Sequence, residues 1–328
     1  MSMAIPSATV ALALGFSLAC PAFAQQASRD YPSKPIRVVA PFGTGGLVDV
    51  LSRAIAEKLR ASLGQPLVVD NRPGAGGNIG AEIVARAQPD GYTILMTSAG
   101  ILTINQFLYA KLPIDPASAF RPITLVAEMD MLMVLNPSFP ARNVREFLAR
   151  AKAEPGKIAF GSPGYGTTGH LGMEMLQFAS GIKLNHVPYK SAADAALAVI
   201  AAQIDGVMDN PPTVLPHIRA GRLRAIAVAS AKRLPQLPDV PTFDESGLNG
   251  FEASSWFGLV APAGTPGGVI QRLHDETVRA VKSPDLQQRF GELGARLVGN
   301  TPEEFAMFIV SERAKWKKIV RGANIRLQ

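Results

Sequence analysis

"PIRVVAPFGTGGLVDVLSRAIAEKLRASLG", residues 35–64, passes from an apolar run through a glycine-rich turn into a segment with an apolar residue at every fourth position. The run from Pro35 to Phe42 suits a strand buried on both faces, as in a parallel sheet. Leu47, Leu51, Ile55, Leu59 and Leu63 form one stripe on a helix that Gly64 ends. The same grammar repeats downstream. "QPLVVDN" (65–71) is a strand, "RPGAGGN" (72–78) a loop, "IGAEIVARA" (79–87) a helix and "DGYTILMTS" (90–98) a strand. Alternation of strand, glycine loop and helix predicts a doubly wound α/β lobe.

The pattern then restarts. "RPITLVAEMDMLMVLN" (121–136) predicts two strands or one long bent strand, and "VREFLARAKAEPG" (144–156) a helix. "KIAFGS" (157–162) is a strand that feeds "PGYGTTG", and a helix runs from His170 to about Ser180. "KLNHVPY", "IDGVMDN" and "RAIAVAS" are further strands, with helices "ADAALAVIAAQ" and "PPTVLPHIRAG" between them. Pro211 and Pro212 suit a first helical turn and Gly221 a C-terminal cap. "EASSWFGLVAPAG" (252–264) predicts a strand that crosses back to the first lobe. In the last helix, opened by "TPEEF", Phe305, Phe308, Ile309, Trp316, Ile319 and Val320 share one face beside Lys315, Lys317 and Lys318. That stripe reads as a packed face; a membrane-surface helix is the alternative.

Composition narrows the function. The chain has 328 residues, 47% hydrophobic, a formal charge of +7 and a pI near 9.6. Its Lys and Arg residues are scattered and not interleaved with aromatics, which argues against nucleic acid and for steering of small anions. "VALALGFSLAC" (10–20) is too short to span a bilayer, and Ala22-Phe23-Ala24 has the small-x-small pattern of a signal-peptidase site. We expect a secretory signal peptide over residues 1–24, cleaved after Ala24, and an exported product. Cys20 is the sole cysteine, so no disulfide is expected; Ser17 and Pro21 fit a lipoprotein site poorly.

Two glycine turns carry the candidate chemistry. Gly164, Gly166 and Gly169 fall on the G-x-G-x-x-G spacing, but the strand that follows ends in Pro188, Tyr189 and Lys190, with no acidic residue to hold a ribose. "PFGTGG" (41–46) lacks the lysine of a phosphate-binding loop. Both turns leave backbone N–H groups at a helix start, where the dipole favours an anion. Two lobes presenting such turns at one crevice would grip a carboxylate from both sides.

The segments "PFGTGGLVD", "VVDNRPGAGGNIGAE", "QPDGYTIL", "GYGTTGHLGMEM", "HVPYKSAADA", "PHIRAGRLRAIAVAS", "LPDVPTFDESG" and "APAGTP" occur in the order found in the Bug family, the solute receptors of tripartite tricarboxylate transporters. The resemblance covers essentially the whole chain after the leader. It implies a type II periplasmic-binding-protein fold: two α/β lobes, each a mostly parallel sheet flanked by helices, joined by a two-strand hinge. The expected lobes are 29–127 plus 256–328 and 128–255. The resemblance implies a receptor, not an enzyme, working as a monomer without cofactor or metal. It would capture a dicarboxylate, tricarboxylate, amino-dicarboxylate or aromatic carboxylate for a membrane permease.

Ligand contacts are implied at Phe42, Gly43, Thr44, Gly45, Gly46, Ser98, Gly164, Tyr165, Gly166, Thr167, Thr168, Tyr189, Lys190, Ser191 and Asp209. Gly43-Thr44 stands where the family usually has Pro-Pro, which should loosen that loop or change its guest. Asp209, in "VMDNPP", is open to two readings. It either caps a helix or lines the cleft, where its charge calls for a ligand bearing an ammonium, hydroxyl or ring N–H. A secreted hydrolase using His170 with Ser162, Thr167 or Thr168 is the alternative class, but no G-x-S-x-G elbow is present. The histidines His170, His186, His217 and His274 lack the i, i+3 or i, i+4 spacing of helical metal ligands.

Overall fold

The computed structural model describes residues 31–322. The expected signal peptide, its cleavage site and Cys20 lie outside those residues. Strand β1 (Ile36–Ala40), helix α1 (Leu47–Leu63), β2 (Leu67–Asn71), α2 (Asn78–Ala85) and β3 (Thr93–Ser98) follow the alternation read from the sequence. All five residues of the α1 stripe are buried, and Gly64 closes the helix at φ 69°, a left-handed conformation that glycine adopts without a Cβ penalty. A short α3 (Asn105–Leu108) precedes β4 (Phe120–Asp130). Then come β5 (Leu132–Leu135), α4 (Val144–Ala153), β6 (Ala159–Ser162), α5 (Thr168–Ser180), β7 (Asn185–Pro188), α6 (Ala192–Ile200), β8 (Gly206–Asp209), α7 (Pro211–Arg219) and β9 (Arg224–Val228). β10 (Ser254–Pro262), α8 (Gly267–Val281), α9 (Pro284–Gly291), β11 (Arg296–Leu297) and α10 (Pro302–Gly322) complete the order.

Two sheets result. The first has six strands in the order β11-β4-β10-β3-β1-β2, and the second five in the order β7-β6-β8-β5-β9. β1 pairs in parallel with β2 and β3, and β6 with β7 and β8, as βαβ connections require. The strands of each sheet run mostly parallel, as expected, with β10 and β5 running against both of their neighbours, so each sheet is mixed. Both reversed strands adjoin the crossings between the sheets. The long segment 121–136 is two strands, broken at Met131, where the chain passes from the first sheet to the second.

The return crossing lies beside it. Asp130 pairs with Ser254, the Met131 N–H donates to the Ala253 carbonyl at 3.1 Å, and the Ala253 N–H to the Ala229 carbonyl at 2.9 Å. The Ala229 N–H donates back to the Met131 carbonyl at 2.8 Å, closing a three-strand knot. Clusters of buried side chains cover both faces of each sheet, so each has its own core.

The stripe on α10 belongs to one of those cores. Trp256 packs edge-on against Phe305 and Phe308, with centroids 5.7 and 5.4 Å apart. The indole N–H groups of Trp256 and Trp316 both donate to Glu312, at 3.1 and 3.2 Å. Two buried indole donors are thereby satisfied by one carboxylate, which explains an acidic residue on the apolar face. Among the described residues no helix is long and apolar enough to cross a membrane.

Candidate anion-binding cavity

Four helices begin at one place. A cavity of about 40 Å³ between the sheets is lined by Gly46, Leu47 and Val48 at the start of α1, and by Thr167, Thr168 and Gly169 at the start of α5. Ala192 at the start of α6 and Asp209-Asn210 just before α7 complete that ring. Phe42, Ser98, Met131, Pro163 and Phe257 form the remaining wall, with Phe257 paired to Ser98 across β10 and β3. All four starts present the positive end of a dipole, and those of α1, α5 and α6 carry amides without an intrahelical acceptor, whereas α7 opens with Pro211 and Pro212, which have no N–H.

The glycine amides themselves are mostly occupied. The Gly43 N–H donates to the Lys190 carbonyl at 3.1 Å, and the Gly45 N–H to the Asp49 carboxylate at 3.0 Å. In the second loop the Gly164 N–H donates to Ser162 Oγ (3.1 Å) and the Gly166 N–H to His170 Nδ1 (3.3 Å). The Thr167 N–H and hydroxyl both donate to the Gly164 carbonyl, at 3.4 and 2.7 Å. Thr167 also caps α5, accepting from the His170 N–H. The residues that line the cavity stand a residue or two beyond these occupied amides: Gly46, Leu47 and Val48 on one side, Thr168 and Gly169 on the other, with Ser98 beside them.

Of the fifteen residues expected at the site, Phe42, Gly46, Ser98, Thr167, Thr168 and Asp209 line this cavity. Gly164, Tyr165, Tyr189 and Lys190 line an adjoining chamber of about 210 Å³, which shares Phe42 and Pro163 with the first. Gly43, Thr44, Gly45, Gly166 and Ser191 line neither. Thr44 is exposed, and Ser191 is buried in a cap, accepting from the Asp194 N–H and donating to its carboxylate at 2.8 Å. Gly43 and Gly166 join the two sides of the cleft: a Cβ on Gly43 would lie 3.1 Å from Ser191 Cβ, and a Cβ on Gly166 would strike Asn105.

Leu47, Val48, Gly169 and Ala192 went unread, although first-turn positions after a glycine or serine cap were a usable signal. Met131 and Phe257 sit at the crossings and gave no sequence signal of a ligand.

Asp209 is not the helix cap. Asn210 holds that position, its Oδ1 accepting from the Ser255 hydroxyl. Asp209 is 2% exposed, and its Oδ1 accepts the Asn210 N–H at 2.7 Å. Its Oδ2 has no hydrogen-bond partner. Burial pushes its carboxyl up to about 7, against the pull of that one backbone N–H. Among the described residues it is the only titratable side chain lining the cavity.

The histidine alternative rearranges. Ser162 Oγ lies 2.6 Å from His186 Nε2, not from His170, and both serine and His170 are buried behind the loop. Burial, together with the neighbouring His186, pushes His170 down to about 3, and burial pushes His186 down to about 4. Neither histidine lines the cavity.

A family model for the receptor of tripartite tricarboxylate transporters matches residues 51–325. The chain belongs to that family. Protein BugT of Bordetella pertussis is 35% identical over 317 residues, covering 96% of this chain and 97% of BugT. The periplasmic binding protein BugD superposes with a TM-score of 0.87 at 37% identity, covering 90% of this chain and all of that one. Two Rhodopseudomonas palustris structures are also similar. Rpa4515 with adipate has a TM-score of 0.88 at 33% identity, over 91% of this chain and all of that one. MatC with bound malate scores 0.86 at 31%, over 88% and all. Family and fold are those of two-lobe solute receptors, not of enzymes, which removes the hydrolase reading.

Proposed function

We propose that this receptor captures a small organic carboxylate outside the cytoplasm and delivers it to the permease of a tripartite tricarboxylate transporter. The observation that carries the reading is the convergence of four helix starts, from both sheets, on one cavity without a lysine, arginine or histidine in its wall. A carboxylate there is held by amides of Gly46, Leu47, Val48, Thr168 and Gly169 and by the hydroxyls of Ser98 and Thr168. Inside a low-dielectric cleft such neutral donors bind an anion more strongly than in water, and they cost no reorganisation. The relatives' ligands, adipate and malate, are of this class. The second end of a longer ligand enters the outer chamber, toward Tyr189 and Lys190.

Residues 29–127 plus 256–328 and 128–255 act as the two lobes, hinged at the Met131 and Ala253 crossings. The described conformation is closed: Tyr109 Oη donates to the Tyr165 carbonyl at 3.3 Å, and the Gly43–Lys190 bond joins the same edges. About 40 Å³ is room for roughly three waters, so a malate-sized guest enters only when the lobes part. The leader at residues 1–24 supplies export.

Native mass spectrometry and calorimetric titration with C3–C6 mono-, di- and tricarboxylates test this. Saturable binding of at least one, at one site, is expected. Binding of none would refute it.

A further inference from the structure

Asp209 is left with a task that amides cannot perform. Its Oδ2 is buried and unpartnered, and Asp209 lines the cavity. An ionised oxygen there would repel a carboxylate guest; a protonated one would donate a hydrogen bond to it. Resting on the function proposed above, we propose that Asp209 receives the ligand as a neutral acid. Its Oδ2–H donates to a ligand carboxylate oxygen, so capture of a fully ionised dicarboxylate takes up one proton from water.

The surroundings favour the neutral form. Asp209 pairs with Leu132 on β5, and neither β5 nor the neighbouring β6 carries a titratable residue. Asp130, next to β5, has a carboxyl raised by burial and by the like charge of Glu252, against the pull of Ser230. On α5, His170 Nε2 lies 3.7 Å from Glu174. On α6, Asp194 accepts from Ser191. On α7, His217 and Arg219 stand in the last turn, away from the cavity. On α1, Asp49 is paired with Arg53 at 2.8 Å. No cation is thus in place to hold Asp209 ionised, and burial alone already brings its protonation close to neutrality. A guest anion adds a like charge, which pushes the proton onto Asp209 further. The proton comes from solvent, and no bond in the ligand changes. A ligand ammonium would act oppositely, so the inference narrows the ligand to a carboxylate without an amino group at this end.

Calorimetric titration of the full chain with malate and with adipate, in two buffers of different ionisation enthalpy at pH 8, counts the protons. Buried as in the closed conformation, with its carboxyl at about 7, Asp209 is roughly nine-tenths ionised at pH 8, and with the lobes parted it is more fully so; an uptake of about 0.9–1 proton is expected. Affinity should fall roughly five- to tenfold per pH unit between 7 and 9, where both ligands are fully ionised. Asp209→Asn carries a fixed donor and should lose both the proton uptake and the pH dependence. Binding of malate or adipate with no proton uptake and a flat pH profile in the unsubstituted protein would overturn the inference and leave the proposed function standing. Stronger binding of aspartate than malate without uptake, lost in Asp209→Asn, would overturn it in favour of an ionised Asp209. Failure to bind any C3–C6 carboxylate would overturn the function itself, and the inference with it.

Discussion

Gly100 offers a substitution that acts on closure alone. Its φ lies outside the left-handed region, and it opens a buried helical turn, Gly100–Ile104, so alanine fits its backbone. The three atoms nearest an added Cβ belong to the opposite side of the cleft: the Gly166 carbonyl oxygen at 2.7 Å, its carbon at 3.5 Å and Thr167 Cα at 3.6 Å. A contact of 2.7 Å to a backbone oxygen cannot be relieved by turning a side chain. Overpacking of this kind costs about 1–3 kcal/mol, and only the closed state bears it. Gly100→Ala should weaken carboxylate binding roughly 5- to 150-fold. The ligand-free protein, free to part its lobes, should melt no lower than the unsubstituted one, since alanine is the better helix former. Calorimetric Kd and ligand-free Tm, measured side by side, decide the matter. An unchanged Kd would refute the claim that these edges meet on ligand capture; a lowered ligand-free Tm would show that the site is part of a permanent core.

Three further outcomes follow from the packing and charges. Asp209→Asn should stabilise the ligand-free protein at pH 8 more than at pH 5. A carboxyl whose folded pKa is raised contributes stability below its unfolded value of 3.8, and that contribution is lost as pH climbs through about 7. The difference between the two pH values is about 2–3 kcal/mol, read from chemical unfolding. Glu312→Ala should cost about 2–6 kcal/mol in urea unfolding, because the Trp256 and Trp316 indole donors both lose their acceptor. Leu51→Ala, at a fully buried position on α1, should cost about 2–5 kcal/mol in the same assay without moving the ligand's stoichiometry.

The stretch 35–64 was legible because its two periods, continuous apolar and then every fourth residue, are properties of neighbouring positions. The break at Met131 was legible only as an alternative, since a bend and a crossing leave the same apolar run. At the cavity, the sequence named the glycine turns, and the structure shows how far bonds within the protein already use their amides. Glycine spacing marks where a turn brings amides together, but Asp49 and His170 take up the Gly45 and Gly166 amides through contacts that spacing alone does not settle. The open valence passes to the next residues, at the start of each helix. Asp209 was visible as a candidate, and its meaning depended on burial and on an empty Oδ2, which no linear pattern encodes. Gly43 and Gly166, both expected contacts, stand at edges where the two sides meet.

Backbone amide resonances give the most direct test of whether helix starts from both sheets hold one anion. Titrating ¹⁵N-labelled protein with a bound carboxylate should move the amides of Gly46, Leu47 and Val48 together with those of Thr168 and Gly169, along curves that share one Kd. Shifts confined to one side of the cleft, or concentrated at Gly164 and Gly166 instead, would contradict the account.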